Sequence, residues 1–179
     1  MNRRAVILGS LPAVLLARPS LADIAFYPKT GRLLYASTTL VGNGADLTQD
    51  VLQTYSVPAN TLANVNDRLI IRAGGLFTGS TDSKTAAIRW GGSNALVATV
   101  STASQQIWRM EMDIIKTGSN TQTISGLMAS NSSFTSAATT TTTRTDTAAI
   151  VVDVTGQNTT TATANTIQCR YFTVDYWPA

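Results

Sequence analysis

Two stretches of this chain place apolar side chains at every second position, and that period limits what the chain can fold into. In residues 106–116, QIWRMEMDIIK, Trp108, Met110, Met112 and Ile114 alternate with Arg109, Glu111 and Asp113. In residues 67–77, Leu69, Ile71 and Ala73 alternate with Arg68 and Arg72. Successive side chains of a strand point to opposite faces, so each stretch has one apolar and one wet face; a helix would need a period of about 3.6. Further strands are predicted at residues 32–41, 50–57, 84–90, 94–100, 121–129, 148–155 and 166–177.

The breaks between these runs carry turn chemistry. Gly42-Asn43-Gly44 contains an Asn-Gly step that tolerates positive φ, and Pro58-Ala59-Asn60 ends a strand because Pro lacks the N–H a ladder requires. Gly74-Gly75 predicts a bulge or a close backbone approach, and Gly91-Gly92 a hairpin. No segment reads as a helix. Eight or nine antiparallel strands with such turns predict an all-β fold, a two-sheet β-sandwich of jelly-roll-like order.

A length of 179 residues suits one domain. The first 22 residues, MNRRAVILGSLPAVLLARPSLA, form a segment apart: a basic start, an apolar run and a small-residue end predict a secretory leader cleaved near Ala22, or a tether. The apolar run is too short to span a bilayer and contains Pro12, so no stable membrane anchor is expected. Residues 23–179 are read as one β-sandwich domain.

Charge restricts the partners. Arg3, Arg4 and Arg18 lie in the leader, which leaves ten basic against ten acidic residues in the body. A neutral body without a Lys/Arg cluster cannot make the many phosphate contacts that nucleic-acid binding needs. Charged residues are only 13% of the chain while Thr supplies about one residue in six, so hydroxyls and amides must keep it soluble. Thr is β-branched and fits a pleated surface.

Catalysis has little to stand on. The chain has no His, which removes the commonest general base and most zinc sites. Cys169, the only thiol, reads as a small buried hydrophobe. Glu111 and Asp113 share a strand face as a pair of carboxylates, but Arg109 on the same face points to a row of compensating charges. Asp46, Asp50 and Asp82 fall in turns, where Asp is a favoured former. No enzyme, cofactor or metal is expected.

A neutral β-domain binds a sugar best through a flat aromatic ring, and the candidates are Trp90, at a strand end beside Gly91-Gly92, and Trp177, in the terminal TVDYWPA. Trp108 is in phase with Met110 and Ile114 and is assigned to the core. Residues 130–147, rich in Ser and Thr, are read as a long surface loop that caps an edge or wraps a neighbour, with an edge strand as the alternative for the pentathreonine run.

The run Thr54-Tyr55-Ser56-Val57-Pro58-Ala59-Asn60-Thr61-Leu62, followed by Asp67-Arg68-Leu69, Ala73-Gly74-Gly75, Lys84-Thr85 and Trp90-Gly91-Gly92, resembles the recurring pattern of phage head-fibre, spike and tail-associated jelly-roll proteins. The lead-in Phe26-Tyr27-Pro28 and the terminal Phe172-Thr173-Val174-Asp175-Tyr176 fit the same pattern. The resemblance implies a non-enzymatic structural protein on the virion surface, commonly a homotrimer, touching other virion proteins and a host-surface glycan. The export-like leader departs from that pattern, because virion proteins assemble in the cytoplasm. It supports the alternative of an exported bacterial β-sandwich, periplasmic or extracellular, that binds carbohydrate or builds a surface structure.

Overall fold

The computed structural model describes residues 30–79, 81–101, 105–131 and 133–179, without the side chains of residues 133–139. The leader, its cleavage position near Ala22 and the Phe26-Tyr27-Pro28 lead-in lie outside the described residues. Eleven strands and no helix are present among them: β1 (Arg32–Ser37), β2 (Val41–Gly42), β3 (Asp50–Val57), β4 (Arg68–Phe77), β5 (Ser83–Trp90), β6 (Ser93–Ser101), β7 (Gln106–Gly118), β8 (Thr121–Ser130), β9 (Ser133–Thr143), β10 (Ile150–Asn158) and β11 (Ile167–Trp177).

They form two antiparallel sheets. The larger has the order β1-β11-β4-β7-β8-β9, with β2 also paired to β11; the smaller is β3-β10-β5-β6. Without β2, β8 and β9, the remaining strands alternate between sheets as β1-β11-β4-β7 against β3-β10-β5-β6, which is the two-Greek-key order of a jelly roll. The β8–β9 hairpin widens the larger sheet on one side.

The expectation of eight or nine strands is corrected to eleven. The first expected strand divides at residues 38–40 into β1 and the two-residue β2. Residues 133–143, expected in a surface loop, instead form β9, an edge strand whose threonines pair with β8 as Thr121↔Thr143 and Thr123↔Thr141. An uncharged, β-branched run with no Pro has nothing to oppose extension once a partner strand lies beside it.

The alternating residues meet between the sheets. Leu69, Ile71 and Ala73 of β4, Trp108, Met110, Met112 and Ile114 of β7, and Phe172 and Val174 of β11 face Ile88 and Trp90 of β5 and Val152 and Val154 of β10. Burying each large apolar side chain stabilises the fold by about 1.5–3 kcal/mol. Phe77 lies against Trp108 with ring centroids 6.0 Å apart, and Tyr35 stacks on Tyr55 at 4.9 Å, joining β1 to β3 across the sandwich edge.

Both glycine pairs do what their sequence positions predict. Gly91 and Gly92 have φ of 56° and 84° and close the β5–β6 hairpin, as a two-residue primed turn requires. Opposite Gly74-Gly75 the register of β11 shifts between Cys169 and Tyr171. A Cβ on Gly75 would strike the Gln168 carbonyl oxygen, and one on Gly74 would strike the Tyr171 ring. Gly75→Ala is therefore expected to lower stability by about 1–3 kcal/mol in urea titrations, because a backbone must move, and Gly74→Ala by less, because a side chain can turn aside.

The Asn43-Gly44 step departs from expectation, since neither residue takes positive φ. Asn43 is instead buried as a pin: its Oδ1 accepts from the Ile167 N–H at 2.8 Å and its Nδ2 donates to the Thr163 and Gly44 carbonyls. Among the described residues no helix is long and apolar enough to cross a membrane.

Candidate functional site

The outer face of the larger sheet carries Arg68, Arg72, Arg109, Glu111, Asp113 and Asp175. Registered pairing sets them in rows that cross β11, β4 and β7. One row is Asp175–Ile70–Asp113, the next Thr173–Arg72–Glu111, and the next Tyr171–Gly74–Arg109. Arg72 donates to Glu111 at 2.6 Å and to Asp175 at 2.9 Å, and Arg68 donates to Asp113 at 2.7 Å. The compensating row expected around Glu111 and Asp113 is present, although its cations come from β4 rather than from Arg109. Exposed pairs of this kind contribute little to stability, about 0–1 kcal/mol each.

Arg109 is thereby left over. It takes part in none of the ion pairs among the described residues, and its Nε donates to the Tyr171 hydroxyl at 3.3 Å. That hydrogen bond, with the charge of Glu111 adding less, raises the already high pKa of the guanidinium. Tyr171 stands on this face because of the β11 bulge. Ile167 and Cys169 point inward, the register slips at Arg170, and Phe172 and Val174 then point inward while Tyr171 turns outward. Its ring lies across Gly74, where no side chain stands in the way.

Two shallow depressions flank the Arg109–Tyr171 bridge. One, of about 230 Å³, is bounded by Arg72, Glu111, Leu127 and Ala129; the other, of about 220 Å³, by Leu76, Ile107, Trp108 and Arg170. Ile107 is 55% exposed and Leu127 42%, so both offer apolar surface beside the charge.

Trp90, a candidate sugar platform, does not lie on the surface. It is 1% exposed inside the sandwich, because its position on β5 is in phase with Ile88 and Ala86, and the hairpin turn follows it rather than containing it. Trp177, the other candidate, is 41% exposed at the end of β11, its indole packed against Gly31. It shares the outer face with Tyr171 but is paired with Arg68, three rows from Gly74. Trp108 is buried as expected.

The remaining reactive groups are occupied or shielded. Burial pushes the Cys169 thiol up to about 12, with hydrogen bonds to the Tyr171 and Gly74 backbone pulling the other way, so it stays protonated. Asp46 accepts from the Thr48 hydroxyl and N–H, and Asp50 from the Gly44 N–H, which is the turn role expected of them. A wider depression near the β5–β6 turn, about 530 Å³, contains Arg144 and Asp153. Arg144 is taken up by the Trp90 carbonyl and the Ser93 hydroxyl, and Asp153 accepts from Thr54. Among the described residues no group of three His, Cys, Asp or Glu side chains comes together to hold a metal ion.

Sequence reasoning missed Tyr171 and the isolation of Arg109. Its signal was a break of phase: apolar residues at 167 and 169 resume at 172 and 174, so one residue between them must bulge. Comparison with known protein families, with characterised proteins and with solved structures found no match, so the functional reading rests on the sequence pattern, the fold and this face.

Proposed function

We propose that this protein is a non-enzymatic structural subunit of a phage virion, a head-fibre, spike, decoration or tail-associated protein, working in assembly and in adhesion to host-surface glycan. The observation that carries the reading is where the motif residues fall in the strand order. Pro58 ends β3, Asp67 accepts from the Asn64 N–H just before β4, Gly74-Gly75 admit the close approach of β11, and Gly91-Gly92 turn β5 into β6. These are the joints of a jelly roll, and the sequence pattern that marks them resembles that of phage virion jelly-roll proteins. Mass spectrometry of purified particles tests the reading: the protein is expected as a stoichiometric component, and its absence from particles would end the proposal.

A homotrimer belongs to the same reading. Val51 and Val97, both exposed, lie at either end of one cross-strand row of the smaller sheet whose middle members, Thr155 and Ala87, are buried. Exposed apolar side chains such as these two, and the edge strands β6 and β9, suit contact with a neighbour. Light scattering is expected to return three times the chain mass at micromolar concentration, and a monomer there would contradict it.

The leader-like residues 1–22 favour a second reading, an exported bacterial β-sandwich that binds carbohydrate or builds a surface structure. Recovery from periplasm or medium of a chain cleaved after Ala22 would support that reading over the first.

A further inference from the structure

We infer that the Arg109–Tyr171 bridge on the outer face of the larger sheet is a binding site for a carboxylated saccharide. The inference rests on the adhesion reading above and gives it a location and a ligand class. It also moves the sugar contact away from Trp90 and Trp177.

Charge supplies the first part of the case. Of the four arginines from β4, β7 and the β11 bulge that edge this region, Arg68 and Arg72 are held by carboxylates, whereas Arg109 and Arg170 have none within ion-pair distance among the described residues. Among the described residues Arg109 is anchored only through Nε, to the Tyr171 hydroxyl, so its two terminal nitrogens retain the donor fork that matches a carboxylate. Glu111 is the nearest competing acid, and it is bound by Arg72 at 2.6 Å. An anion arriving at Arg109 therefore displaces no existing ion pair.

Shape supplies the second part. The two depressions beside the bridge, about 230 and 220 Å³, are each the size of one sugar ring and each has an apolar wall, Leu127 and Ala129 in one, Leu76 and Ile107 in the other. The Tyr171 ring, which covers Gly74, adds aromatic surface against which the C–H side of a pyranose can rest. A lone inorganic anion would use the arginine and leave both depressions unfilled. A protein partner needs about 800 Å² on each side, and the exposed apolar surface here is limited to Ile107 and Leu127 between charged and hydroxyl-bearing rows. Nucleic acid needs many cations in register, and of the four arginines here two are already neutralised by carboxylates.

The test is titration calorimetry of the full chain with galacturonate, glucuronate and sialic-acid-terminated oligosaccharides, each beside its carboxyl-reduced counterpart. At least one acidic oligomer is expected to bind, with its reduced counterpart about tenfold weaker or worse, and with affinity falling as salt is raised. Arg109→Ala is expected to lose at least about tenfold in affinity, Arg109→Lys less, and Leu127→Glu to weaken binding by placing an acid in the depression. Both positions are exposed, so the unfolding midpoint of each variant is expected to match the parent. Equal binding of acidic and reduced oligomers would overturn the ligand class. Acidic binding indifferent to Arg109→Ala and Leu127→Glu would overturn the site while leaving the adhesion reading intact. No binding of any oligomer by the parent chain would remove the adhesion reading and this inference together. Loss of a virion protein, rather than of a saccharide, on Arg109→Ala would make the face an assembly contact and overturn the inference.

Discussion

Trp90→Ala is expected to cost about 3–5 kcal/mol of folding stability, enough to unfold a domain of ordinary stability on mild heating. The indole is 1% exposed in the core and the side chain sits at the end of β5, next to the glycine turn that starts β6. Its removal opens a cavity in the core, next to its cross-strand partner Val152, that rigid sheets on either side cannot close. Trp90→Phe is expected to cost less, because the Trp90 Nε1 is buried without an acceptor among the described residues and the smaller ring removes that orphan donor. Urea unfolding followed by circular dichroism measures both. A Trp90→Ala protein with unchanged midpoint and lost glycan binding would show that the ring works at the surface, against its place in the core.

Lys116→Ala is expected to cost about 3–5 kcal/mol, because it leaves a carboxylate buried and unpaired. Lys116 Nζ lies 2.8 Å from Asp146 Oδ2, with the two side chains 9% and 7% exposed, and it also donates to the Leu62 and Ala63 carbonyls. Asp146 in turn accepts from the Asn120 N–H and from Gln122 Nε2. Four separate segments thus meet at this end of the sandwich, and removing the ammonium frees the Leu62 and Ala63 carbonyls and leaves Asp146 with its neutral donors alone. Burial pushes the Asp146 carboxyl up, but the hydrogen bonds from Lys116, Asn120 and Gln122 outweigh it and hold the group below its ordinary value of 3.8. A folded value lower than the unfolded one means that the stabilisation is present above 3.8 and is lost as pH falls through the folded value. Asp146→Asn is accordingly expected to be less stable than the parent at neutral pH and to lose less on acidification. Thermal unfolding at neutral and acid pH checks the sign, and an equal acid loss in both proteins would contradict the assignment.

Much of this fold was legible because its elements announce themselves locally. The period-two runs of β4 and β7, the Pro58 stop and the two glycine pairs each follow from the geometry of one or two strands. The phase of β7 even places Lys116 on the same face as Ile114, which is where it is buried. Its partner Asp146 lies thirty positions on, across two strands, and nothing local links them. The β9 strand was hidden for a similar reason: its threonines suit a loop or an edge equally well, and only the neighbouring β8 decides. Trp90 was offered as a surface ring because it stands at a strand end beside Gly91-Gly92, whereas its phase on β5 points it inward. The Arg109–Tyr171 bridge needed both a bulge on β11 and a vacancy at Gly74 on β4, two features far apart in the chain.

Imaging of intact particles by electron cryomicroscopy tests the central claim most directly. The two-sheet body is expected on the particle surface, in trimers that bring smaller-sheet faces together and leave the Arg109–Tyr171 face of the larger sheet toward solvent. Particles that contain no density for this sandwich, together with a chain cleaved after Ala22 in the periplasm, would contradict it.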